Sequence, residues 1–228
     1  MRTAARGKLS AGKAGEHDMI LESVQVGPLQ ANCYIIGCEK TREGVVIDAG
    51  GSVDRILARI SASCLSVKHL MNTHGHFDHV GGNRALLEAV EAEFLIHEND
   101  TFFLPLAAEI GREFGGGTEN SPEPDRFLSH GMSIPFGEYR LEIIHTPGHS
   151  PGGCCLYCPS EGILFTGDTL FNGAVGRIDL PGGSPEALQR SIRERLFSLP
   201  EETRVYPGHG PSSTIGRERL SNPHVRRG

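Results

Sequence analysis

Nothing in the sequence approaches the roughly 20 consecutive apolar residues that a membrane-spanning helix needs, which excludes an integral helical membrane protein. Surplus basic charge is also missing, since the formal net charge is −6. Proteins that grip phosphate backbones usually present a basic surface, so nucleic acid is not expected as the main partner. No secretory pattern is read ahead of the six cysteines. They are therefore expected as reduced, intracellular thiols in a cytoplasmic protein and not as a disulfide framework. Cys155 and Cys158 form a CxxC, but no second CxxC completes a zinc knuckle, and the pair lies in the strand-like run Cys154–Cys158. A place in a core strand is the better reading. No serine or cysteine is set beside a base as a nucleophilic triad would require, and Cys154 and Cys155 have no evident base.

What is present is an ordinary globular balance. With 228 residues, 38% of them hydrophobic and 22% charged, the chain can bury a sizeable core. Residues 1–18 differ from the rest: Arg2, Arg6, Lys8 and Lys13 occur with no acid before Glu16, among Ala, Gly and Ser. The stretch has no convincing apolar face, so it is read as a disordered extension in preference to a transit peptide, with the domain spanning 19–228. Met19 opens the first strand-like pattern and is an alternative start.

Three strands are expected first, over Ile20–Val26, Asn32–Ile36 and Val45–Asp48. Ser52 reads as the N-cap of a helix over Val53–Ile60, where Ile56, Leu57 and Ile60 line one face. A strand at Val67–Met71, a helix at Asn83–Ala92 and a strand at Phe94–His97 follow. From Asn99 to Arg126 the periodicity fades into Pro, Gly and polar residues, which predicts a long loop and a candidate lid. Strands are then expected at Tyr139–Ile144, Cys154–Tyr157, Ile163–Phe165 and Arg204–Tyr206, with a helix over Pro185–Phe197 capped by Ser184. No internal repeat is evident. Strands interleaved with helices that must cover both faces predict an α/β sandwich in one domain.

The chemistry concentrates at His74, His76, Asp78 and His79, in the order His-x-His-x-Asp-His, where a strand ends and a helix is about to begin. Gly75, Gly81 and Gly82 let the backbone turn sharply there. Imidazole and carboxylate donors packed this tightly suit zinc, iron or manganese. Two ions would need more ligands, and three further strand ends can supply them. These are Thr146-Pro147-Gly148-His149, Thr166-Gly167-Asp168 and Tyr206-Pro207-Gly208-His209, each placing a single His or Asp beside a small or rigid residue.

This series of motifs resembles the metallo-β-lactamase superfamily. Gly167–Phe171, Gly176-Arg177 and Tyr206–His209 most resemble its glyoxalase II (hydroxyacylglutathione hydrolase) branch. The resemblance implies an αββα sandwich and two metal ions, zinc first, with iron or manganese as alternatives. It implies that His74, His76 and His149 hold one ion, that Asp78, His79 and His209 hold the other, and that Asp168 bridges them. Asp78 would also act on the metal-bridging hydroxide. His145 competes with His149 for the ligand role, but His149 lies in the Thr-Pro-x-His loop that the family uses, so His145 is expected in the core or behind the ligands. His97 is expected to be structural. Arg177 falls where the branch places a basic residue on the substrate carboxylate, the alternative being a surface arginine paired with Asp179.

The implied activity is hydrolysis of a small acyl thioester, glutathione-derived or similar, such as S-lactoylglutathione. The best-known members of the branch carry a helical C-terminal domain for glutathione, whereas only residues 210–228 follow His209, so the chain resembles the short members and the glutathione preference is open. A mononuclear iron persulfide dioxygenase is the rival reading, and a lactonase or other ester hydrolase of the same fold is a third. A superfamily ribonuclease would need a nucleic-acid-binding insertion, and a vestigial, non-enzymatic site does not fit a full set of ligand residues.

Overall fold

Alternation of buried side chains along single strands shows how the layers assemble. In β2 (Ala31–Cys38) every residue is buried, with Cys33 and Ile35 facing one core and Tyr34, Ile36 and Cys38 another. Successive strand side chains point to opposite faces, so a strand apolar on both has to lie between two layers. The computed structural model describes residues 19–225, and the disordered extension expected over 1–18 lies outside the described residues.

β1 (Met19–Val26), β2, β3 (Glu43–Ile47), β4 (Ser66–Met71), β5 (Glu93–His97) and β6 (Arg126–Leu128) form one six-stranded sheet in sequence order. Its first pairs are antiparallel, and β3 to β6 run parallel. The second six-stranded sheet has the order β14-β13-β10-β9-β8-β7. It comprises β7 (Ser133–Phe136), β8 (Tyr139–His145), β9 (Cys154–Cys158), β10 (Ile163–Gly167), β13 (Arg204–Pro207) and β14 (Ser213–Thr214). A small hairpin of β11 (Leu170–Phe171) and β12 (Ala174–Val175) projects from it.

Parallel neighbours require crossovers, and these supply the helices. α1 (Val53–Ala62) joins β3 to β4, while α2 (Phe77–Val80) and α3 (Asn83–Ala89) join β4 to β5. A 3₁₀ helix (Glu98–Leu106) and α4 (Ala107–Glu113) lead toward β6. α5 (Pro185–Arg190) continues as a π-helical turn (Ser191–Leu196) and joins β10 to the parallel β13; α6 (Ile215–Ser221) follows β14. Three apolar cores result. Ile56, Leu86 and Phe94 belong to the core under the first helices, Met71, Leu95 and Phe165 to the core between the sheets, and Leu164, Leu188 and Ile192 to the core under the last helices. This is the expected αββα sandwich.

Several local expectations change. Asn99–Arg126 is not a structureless loop, because the 3₁₀ helix and α4 occupy its first half. Ser52 stands at the N-cap position of α1 but adopts a left-handed backbone and makes no side-chain cap hydrogen bond. α3 stops at Ala89, where Val90 turns extended, short of Ala92. Ser184 does cap α5, its Oγ accepting from Ala187 N. Cys154–Cys158 is β9, with Cys155 and Cys158 facing different cores, and burial raises their thiol pKa values, that of Cys155 to about 11. No helix among the described residues is long and apolar enough to cross a membrane.

Candidate metal centre

All seven proposed ligand residues lie just beyond strand ends on one rim of the sandwich. β4 delivers His74 and His76, and α2 carries Asp78 and His79. β8 leads to His149, β10 to Asp168 and β13 to His209. Their donor atoms form three overlapping groups, His74/His76/His149, His74/His79/Asp168 and Asp78/His79/His209, with atoms within 4.8 Å of one another in each. Asp168 is central: Oδ1 lies 3.5 Å from His79 Nε2, and Oδ2 lies 3.6 Å from His149 Nε2 and 3.7 Å from His209 Nε2.

A metal fits this donor set on two grounds. His74 Nε2 and Asp168 Oδ1 are buried without a hydrogen-bond partner, a costly state for isolated polar atoms that a cation would relieve, and His76 Nδ1 meets His149 Nε2 at 2.9 Å. The opposite ring nitrogens are meanwhile engaged. His149 Nδ1 lies 2.7 Å from the Arg177 carbonyl and His79 Nδ1 lies 3.0 Å from Asp48 Oδ2, which leaves each Nε2 to face the cluster.

The electrostatics agree. Burial, reinforced by the imidazoles of His79, His76 and His149, lowers the His74 pKa well below its ordinary value; burial and His149 lower that of His76 to about 3. Both rings stay neutral at pH 7, the state a metal ligand requires. Burial alone would lower His79 too, but the carboxylates of Asp78, Asp48 and Asp168 outweigh it and raise it to about 10. Excess negative charge therefore surrounds His79, where a cation would sit. Burial opposes ionisation of Asp78, yet His79 and His209 hold its carboxyl well below the usual range.

The competing histidines lie apart. His145 Nε2 is 3.0 Å from the Pro151 carbonyl, and its ring stacks on His97 with centroids 4.1 Å apart. Arg177 lines the cavity beside the cluster, but its guanidinium donates two hydrogen bonds to Asp179, at 2.8 and 2.7 Å. Nη1 is engaged in neither of these bonds, so the pairing with Asp179 is the surface alternative expected for Arg177, with donors still open.

Two buried carboxylates escaped the reading of the sequence. Asp48 accepts from Thr73 N and Oγ1 as well as facing His79. Asp100 accepts from Gly75 N, Ser150 Oγ and Gly152 N, tying the His74–His76 loop to the His149 loop. The only signal for Asp48 was an acid closing an apolar strand; Asp100 lay in the segment read as irregular.

Comparison with known proteins agrees with this architecture. The metallo-β-lactamase superfamily model matches residues 26–209, and the chain belongs to that superfamily. It is 36% identical to the hydroxyacylglutathione hydrolase GloC of Haemophilus influenzae, covering 91% of this chain and 98% of GloC. Among solved structures, TTHA1623 in a di-iron-bound form superposes with a TM-score of 0.81 at 41% identity, covering 89% of this chain and 98% of that one. The BLEG-1 B3 metallo-β-lactamase superposes with a TM-score of 0.84 at 33% identity, covering 90% and 99%.

Proposed function

We propose that the protein is a dinuclear metal-dependent hydrolase of small acyl thioesters. The observation that carries the reading is the placement of Asp168 between two ligand groups, with His74 Nε2 and Asp168 Oδ1 buried and unpartnered and His76 Nδ1 brought to 2.9 Å from His149 Nε2. His74, His76 and His149 would hold one ion, Asp78, His79 and His209 the other, and Asp168 both. The metals would be zinc, with iron the alternative raised by the di-iron form of TTHA1623. Bound there, two ions supply Lewis acidity, bringing the pKa of a water toward about 7 and polarising a carbonyl.

The residues do the rest. Asp78, ionised and largely buried, accepts a hydrogen bond from the attacking water and takes its proton. The water oxygen forms a bond to the thioester carbon and the carbon–sulfur bond breaks with its electron pair on sulfur. The proton held by Asp78 returns to the thiolate, giving an acid and a thiol. His209 Nε2 lies 3.1 Å from Asp78 Oδ2, close enough for both to hold the same ion. The similarity to GloC, a hydroxyacylglutathione hydrolase by name, supports a thioester substrate.

The test is metal analysis of the purified protein with assays of thioester hydrolysis and oxygen consumption. Two ions per chain, thioester turnover and loss of turnover on chelation are expected. A single iron with oxygen consumed on a persulfide would overturn the reading.

A further inference from the structure

The cleft that opens onto the metal centre encloses about 660 Å³, within the range of small-ligand sites. Its walls are apolar. Leu29, Phe102, Leu106 and Phe114 are each between 40% and 49% exposed, and all four face this cleft. They come from two separate places in the chain: the β1–β2 turn, and the continuous run of the 3₁₀ helix into α4 and its C-cap. Scattered exposed apolar residues mean little, but convergence from separate segments onto one hollow marks a surface shaped for apolar contact.

The apolar wall reaches the metal ligands from two sides. Phe103 packs edge-on against His76, with centroids 4.7 Å apart, and Phe171 approaches His209 at 6.3 Å. A substrate carbonyl placed among the ligands would therefore have hydrocarbon next to it. Positive charge is scarce. Among the described residues lining the cleft, Arg177 supplies the arginine or lysine charge, and Asp179 neutralises it through two hydrogen bonds. Glutathione carries two carboxylates and an ammonium group. Bringing such charges against a phenylalanine wall without partners carries a desolvation penalty.

We infer that the site takes uncharged thioesters carrying an apolar chain or ring, and does not select for the charged glutathione carrier. This rests on the hydrolase reading of the same site and specifies its substrate class. The segment Glu98–Phe114, which supplies Phe102, Phe103, Leu106, Ile110 and Phe114 to the wall, thereby acts as the specificity element of the cleft.

The experiment measures binding without turnover, by calorimetry on the metal-loaded protein, using three inert thioethers: S-methyl-N-acetylcysteamine, S-hexyl-N-acetylcysteamine and S-hexylglutathione. Each buried methylene is worth about fourfold in affinity, so the hexyl compound should bind at least tenfold tighter than the methyl compound even when only part of the chain is covered. S-hexylglutathione should bind no tighter than its uncharged counterpart. The double variant Phe102→Ser/Leu106→Ser alters partly exposed positions, so it should keep its metal and fold while the hexyl preference falls below about threefold. Equal affinity for hexyl and methyl would overturn the inference, as would a tenfold or greater advantage for S-hexylglutathione, or a double variant that retains the full preference. Failure of the enzyme to hydrolyse any thioester would overturn the hydrolase reading alone, because the thioether affinities decide the chemistry of the cleft independently.

Discussion

Asp48 Oδ2 lies 3.0 Å from His79 Nδ1, and both side chains are buried. The carboxylate thereby fixes the proton of His79 on Nδ1 and leaves Nε2 free to ligate. Asp48 also has a positive φ of 58°, a conformation that asparagine tolerates. Asp48→Asn should therefore keep the backbone and present an amide N–H where an acceptor stood, turning the His79 tautomer. We expect metal affinity to fall about 10–100-fold. Competition titration against a chromophoric chelator measures it, and unchanged affinity would remove Asp48 from the positioning role.

Asp168 and His145 make a contrasting pair. Asp168 faces His79, His149 and His209, so Asp168→Asn should deplete both ions and remove charge that offsets them. His145 bonds the Pro151 carbonyl and stacks on His97, and its own carbonyl accepts from Arg195. His145→Ala should keep its metal. Elemental analysis of the two variants decides, and the reverse pattern would reverse the ligand assignment.

Gly208 leaves no room for a side chain, because a Cβ there would overlap Asp168 Oδ1 and lie 2.7 Å from His79 Cε1. Gly208→Ala should push the Asp168 carboxylate aside, with an overpacking cost of about 1–3 kcal/mol. The expected outcome is a lowered melting temperature and less than two ions per chain. Full metal content in the variant would show that the loop yields without moving Asp168.

His97 offers a test of pH dependence away from the ligands. Burial, then the neighbouring His145 ring, lowers its pKa to about 4. Between about pH 4 and 6.5 the unfolded chain binds a proton that the folded one refuses, so this residue makes stability fall as the pH drops through that window. Above pH 6.5 it contributes no slope. The ring is half-buried, so screening keeps the effect small. His97→Gln should flatten this part of the profile of urea midpoint against pH from 7 to 4.5. An identical slope in variant and wild type would contradict it.

Much of the centre was legible because its signals are local. The run from His74 to His79 places four donors on one loop, and no tertiary information is needed to see that they can share a cation. Thr-Pro-Gly-His, Gly-Asp and Pro-Gly-His stand at the ends of apolar strands that alternation marks out, so the rim arrangement also follows from pattern. Sheet order was less accessible, since β6, β7 and β14 are too short to show an alternation, and β10 pairs with the distant β13, Ile163 lying opposite Arg204.

The sequence by itself picked out the seven His and Asp residues that the fold gathers and the layered α/β scaffold, because donor type, strand alternation and turn residues act over a few positions. Tertiary structure alone decided which groups support that set and what the cleft would welcome. Asp100 joins loops separated by 25 and 50 residues, to Gly75 and Ser150 respectively, a relationship that local periodicity cannot encode. Phe102, Phe103, Leu104 and Leu106 fell within a segment read as Pro, Gly and polar residues, and their faces are divided: Phe103 and Leu104 are buried, while Phe102 and Leu106 remain part-exposed along the cleft. Tertiary structure also placed Arg177 on the cleft wall while pairing it with Asp179, because which side chains line a hollow depends on how distant segments pack.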